Sequence, residues 1–138
     1  MFANVFLLLL TAHWLADYPL QTDRQSTRKA GWIDPEGRHH HGWTENLTHA
    51  ATHIAASAVL LGATWHLLDH HASTLGLAAG FAWIGASHSL IDRRSGVRWW
   101  MEHTGQAGFL ARGGAAHVDQ TAHIALGLLP SALLIATV

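Results

Sequence analysis

The chain contains no cysteine, which removes disulfides, thiolate metal ligands and cysteine nucleophiles from its chemistry. Charge is scarce too: 12% of the 138 residues are Asp, Glu, Lys or Arg, against roughly a quarter in ordinary soluble domains. The little charge present nearly cancels, to −1 with neutral histidine, so nothing draws the chain to nucleic acid. Residues 2–16 carry no charge, and residues 47–68, 72–91 and 118–138 have no Lys, Arg or Glu and one Asp, Asp119. A soluble helical assembly would need a charged stripe along each helix, and "IALGLLPSALLIATV" has none.

Each of these segments is near the ~20 residues that cross a bilayer, the first when it runs on to Leu20. The expected fold is all-α, a four-transmembrane-helix up-down-up-down bundle forming one integral membrane domain over residues 1–138. Its helices are expected at about 2–20, 47–68, 72–92 and 118–138, with long loops at 18–46 and 93–117. The first segment does not resemble a cleaved signal peptide, because it lacks a basic start and runs into His13 and Asp17. Arg24, Arg28, Lys29 and Arg38 lie in the first loop, and Arg93, Arg94, Arg98 and Arg112 in the second; these are all eight basic residues. The positive-inside rule therefore places both loops in the cytoplasm of a bacterial cell and both termini outside its cytoplasmic membrane.

Each expected helix carries one pair of potential ligands four residues apart: His13/Asp17, His49/His53, His88/Asp92 and Asp119/His123. That spacing puts both side chains on one helical face. Odd helices carry the pair at their C-terminal end and even helices at their N-terminal end, so antiparallel packing brings all four pairs to one depth. Alone, a His–Asp pair at a helix end is an intrahelical hydrogen bond. Recurring in register on four helices, the pairs point to a shared metal site.

Five imidazoles and three carboxylates suit two divalent cations, whose +4 offsets the −3 of Asp17, Asp92 and Asp119. Zinc is favoured by histidine-rich ligation without thiolate, with iron or manganese as alternatives. Haem would use one or two histidines and leave the aspartates unexplained. Some of the eight could orient a ligand without touching metal.

Other features read more plainly. His39–His41 form a solvated polar run, and His66 and His70 an interfacial pair. Seven Trp, two of them in "VRWWMEH", read as interfacial anchors. Asn46-Leu47-Thr48 matches a glycosylation sequon on the cytoplasmic side, where it has no use. Ser57, Gly85 and Gly127 either permit close helix packing or leave a small pocket by the metals.

The stretches "AHWLADYPLQTD", "SHSLID" and "VDQTAH" resemble a family of small bacterial and phage integral membrane proteins of unknown function. Its motifs are His-x-x-x-Asp followed by Leu-Gln, then His-x-x-Ile-Asp, then Asp-Gln-x-x-His. His13, Asp17, Leu20 and Gln21 correspond to the first, His88, Ile91 and Asp92 to the second, and Asp119, Gln120 and His123 to the third. The resemblance implies a multi-pass membrane protein and no particular activity. A looser similarity is to inner-membrane proteins described as metal-dependent hydrolases.

The function expected is a membrane-embedded metal-dependent hydrolase acting at the cytoplasmic face on a phospho- or acyl-ester, with a lipid among the possible substrates. Asp17, Asp92 or Asp119 would act as general base, Gln21 and Gln120 would orient substrate, and Arg93, Arg94 and Arg98 would hold an anionic group. Two other classes fit the same residues: a cation transporter or metal-binding protein, and a structural or partner-binding protein whose pairs only lock helices together.

Overall fold

The computed structural model describes residues 1–68 and 71–138. Among these the chain forms seven helices: α1 (Phe2–Asp17), α2 (Asp23–Arg28), α3 (Trp43–Thr64), α4 (Thr74–Ile91), α5 (Ser95–His103), α6 (Ala107–Ala111) and α7 (Ala115–Thr137). A two-residue antiparallel hairpin, β1 (Trp32–Ile33) with β2 (His39–His40), lies between α2 and α3. The four longest helices pack in a ring, α1 on α3, α3 on α4, α4 on α7 and α7 on α1.

This corrects the expected four-transmembrane-helix bundle. Among the described residues, only α4 and α7 are long and apolar enough to cross a membrane. α1 stops at Asp17 instead of Leu20 because Pro19 has no N–H for the Leu15 carbonyl, which accepts from the Leu20 N–H at 3.0 Å instead. Sixteen residues rise about 24 Å at ~1.5 Å each, short of a ~30 Å hydrocarbon core. α3 is long, but Glu45, Asn46, His49 and His53 occupy its first half. The two stretches expected as loops hold α2, the hairpin, α5 and α6.

One end of the ring is an apolar core of Val5, Leu9, Leu61, Ile84, Leu128, Ala132 and Ile135. α4 approaches α7 closely because Gly76 and Gly80 line its contact face. A Cβ on Gly80 would sit 2.5 Å from Ile135 Cγ1 and 3.1 Å from the Ser131 carbonyl oxygen. Gly85 and Gly127 likewise face Ile54 and Ser87 across helix contacts, so they serve packing.

α7 widens into a π-helical turn over His123–Leu128. Pro130 has no N–H for the Leu126 carbonyl, and Trp83 Nε1 on α4 donates to that oxygen instead, at 2.8 Å.

α2, the hairpin and α5 close the opposite end. α2 begins with a reciprocal capping box between Thr22 and Gln25. The helix–hairpin segment is pinned by Arg93, whose guanidinium donates to the carbonyls of Lys29 and His41 and lies over the Trp43 ring. Gly42 is required at the α3 start, since its φ is 69° and a Cβ there would collide with the Arg28 carbonyl oxygen. Within the hairpin, Asp34 accepts from His40, from the Arg38 backbone N–H and from the Arg38 guanidinium. Chiefly through the His40 hydrogen bond, its pKa is lowered to about 2.

A depressed carboxylate stabilises the fold above its unfolded pKa and loses that contribution as pH falls through the folded value. Asp34→Asn should therefore speed amide exchange in the hairpin at neutral pH. The difference from the native chain should vanish as pH drops through about 2. A difference that persists there would mean that shape, not charge, is what Asp34 supplies.

Candidate metal centre

Beneath α2 and α5, the ring interior changes from apolar to polar. His13 comes from α1, His49 and His53 from α3, His88 from α4, Asp92 from its C-terminus and His123 from α7, each 3% exposed or less. Asp17, at the last position of α1, completes the layer with a side chain 6% exposed.

Two groups of ligand atoms result, each able to hold a divalent metal ion: Asp17, His49, His53 and His88, and His88, Asp92 and His123. In the first, Asp17 Oδ1 lies 3.1 Å from His49 Nε2 and 3.2 Å from His53 Nε2, and those nitrogens are 3.3 Å apart. Ligands about 2.0–2.1 Å from a tetrahedral zinc ion stand roughly 3.3 Å from one another, so the triangle has the dimensions of one face of such a site. In the second group, His88 Nε2, Asp92 Oδ2 and His123 Nε2 are all buried and have no well-formed hydrogen bond, although the first two lie 3.2 Å apart. Buried polar atoms without partners are uncommon and costly. His123 Nδ1 donates to the Asp119 carbonyl at 3.0 Å, which leaves its Nε2 lone pair free to ligate. The residues present therefore fit a divalent ion.

The remaining members hold the layer in place. Gln120 donates to Asp17 Oδ2 at 2.9 Å and accepts from His13 Nε2 at 3.0 Å. His13 and Gln120 thus orient Asp17, and His13 belongs to neither metal-capable group. Asp119 lies outside both as well, with Oδ2 3.4 Å from His123 Nδ1, where it steadies that imidazole. Gln21 Nε2 approaches His49 Nε2 at 2.9 Å.

Three residues at or beside the centre are not among the site residues expected from the sequence. Lys29, 6% exposed, places Nζ 2.8 Å from Asp92 Oδ1. Asn46 is fully buried and bonds both the carbonyl and the hydroxyl of Ser89, locking α3 to α4 beside the centre. The Asn46 sequon is therefore a structural crossbrace. Neither Asn46 nor Ser89 belongs to a metal-capable group.

A cavity of about 530 Å³ opens onto this layer. Asp17, Asp92, Asp119, Gln21 and Gln120 line its inner side, and Lys29, Arg94 and Arg98 line it as well. Among the described residues, Arg94 is the non-glycine residue with positive φ, 61°. That strained turn between α4 and α5 sets the position from which Arg94 and Arg98 face the cavity. Arg93 does not line it. Among the histidines outside the layer, His40 stacks on Trp32 and bonds Asp34. His66 is exposed beyond α3, and His70 lies outside the described residues.

Fold and site together define a helical protein with a buried His/Asp centre able to hold metal beside a cavity that Lys29, Arg94 and Arg98 also line. A family model described as "protein of unknown function (DUF3307)" matches residues 5–136. The chain belongs to this family. No curated protein and no solved structure matches it.

Proposed function

We propose that this protein is a membrane-associated, metal-dependent hydrolase acting on a phospho- or acyl-ester that carries an anionic group. The observation that carries the reading is the cavity, where the carboxylates of the centre meet Arg94 and Arg98. A divalent ion held by Asp17, His49, His53 and His88 would act as a Lewis acid and lower the pKa of water it holds. Zinc suits this donor set best, because it is rich in imidazole and has no thiolate.

The chain's own groups supply the rest. Arg94 and Arg98 bind the anionic group, which positions the ester over the inner wall. Asp119 Oδ1, buried and without a hydrogen bond, takes up the proton released from water. Gln120 and His13 keep Asp17 aimed at the centre. The apolar plug from Val5 to Ile135 offers no polar route through the ring, which favours hydrolysis over cation transport.

Membrane association is supported by α4 and α7, whose exposed side chains include Leu75, Trp83, Leu90, Leu126 and Leu133. On α5, Val97 and Met101 are buried while Trp99 and Trp100 are exposed, as in an interfacial helix. In this reading the basic end faces the cytoplasm and both termini face away from it.

Elemental analysis of purified protein, followed by a screen with chromogenic phospho- and acyl-esters, tests the proposal. Stoichiometric metal and metal-dependent turnover are expected. Arg98→Ala should raise KM for an anionic ester by about 10-fold, ~1.4 kcal/mol, with a smaller change in kcat. Protein free of metal and inactive on every ester would end this reading.

A further inference from the structure

We propose that the centre holds one divalent cation per chain, and that the buried ammonium of Lys29 takes the place a second would occupy. This rests on the metal-binding reading above and goes beyond it. Counting only the aspartates suggests two ions. Lys29 changes that count, because its Nζ lies 2.8 Å from Asp92 Oδ1 with both side chains nearly excluded from solvent. Asp17, Asp92, Asp119 and Lys29 sum to −2, which one divalent ion brings to zero. A second ion would leave the layer at +2, and an uncompensated charge buried at that depth is strongly disfavoured.

The ligands lead to the same number. His88 Nε2 lies 3.8 Å from Asp17 Oδ1 and 3.2 Å from Asp92 Oδ2. An imidazole nitrogen has one lone pair, so the nitrogen that faces both groups serves a single ion. Asp17 has no Lys or Arg nitrogen within ion-pair distance among the described residues, whereas Asp92 has Lys29. The division of labour follows: metal compensates Asp17, and Lys29 compensates Asp92. Because Lys29 also lines the cavity, its ammonium offers an anionic substrate the second positive charge that two-metal sites supply with an ion.

The test is metal stoichiometry by native mass spectrometry and elemental analysis, with zinc as probe at saturating concentration. One ion per native chain is expected, one in Lys29→Arg, and two in Lys29→Met, where Asp92 loses its built-in cation. Two ions in the native chain overturn the inference and leave the metal-binding reading standing. One ion in a folded Lys29→Met also overturns it. No ion in the native chain removes the reading beneath it, and the inference falls with it. Should Lys29→Met fail to fold, the native count alone still decides.

Discussion

His49→Ala and His53→Ala, both in the group built on Asp17, are each expected to release bound metal and lower thermal stability together. Loss of an ion present at 100 times its Kd removes about 2.7 kcal/mol of stability, and metal affinity should fall by more than the 10–100-fold that loss of an outer partner costs. Chelators should destabilise the native chain and leave these two variants unchanged. Occupancy should decline in acid, because a protonated histidine cannot ligate. Asp92→Asn preserves shape and hydrogen bonding but removes a negative charge, and should also weaken metal binding. His39→Ala, in the exposed hairpin, is the control and should change neither quantity. A layer held only by hydrogen bonds would give native protein indifferent to chelators. Measuring melting temperature and metal content on the same samples separates the two cases.

Gly80→Leu is expected to have the second large effect, on folding alone. Even a Cβ at this position would meet Ile135 Cγ1 at 2.5 Å and the Ser131 carbonyl oxygen at 3.1 Å. The first neighbour can turn aside, but the second is helix backbone. A full leucine must therefore push α4 away from α7, at a cost of about 3 kcal/mol or more. The contact lies toward the apolar end of the ring, so any protein that still folds should retain its metal affinity. Unfolding curves showing Gly80→Leu as stable as the native chain would mean that α4 and α7 do not pack as described.

That these side chains share one layer was legible because each helix carries its pair at a spacing that fixes a shared face, as His49/His53 and His88/Asp92 show. Which members fall into a metal-capable group was not legible. His13 and Gln120 are separated by 107 residues, and no local pattern reveals that they jointly orient Asp17. Lys29 was hidden for the same reason, since its partner Asp92 is reached only after the chain has folded back through the hairpin.

Some signals were present and unread. Thr22-x-x-Gln25 is a capping-box pattern, and Asp34-Pro35-Glu36-Gly37 carries turn chemistry; together they mark the structure inside what looked like one long loop. Pro19 announced that α1 would stop early. The apolar stretches were read correctly as helices but credited with too much reach. Hydrophobic composition does not state where a helix ends or how much of it a bilayer would have to cover.

The π turn at His123–Leu128 amounts to one residue inserted into an otherwise regular helix. Upstream of it, α7 carries Asp119 and Gln120, and His123 is the first residue of the turn; downstream, α7 carries Ser131 and Ile135 against Gly80. One residue corresponds to about 100° of helical rotation. Deleting a residue here would restore a simple α-helix and leave the downstream half seated on α4. The upstream half would then turn through that angle, carrying His123 and Gln120 away from their partners. The turn therefore acts as a phase adjuster between two surfaces that must be satisfied at once. A length change in this segment would be felt at the centre long before it was felt in the apolar core.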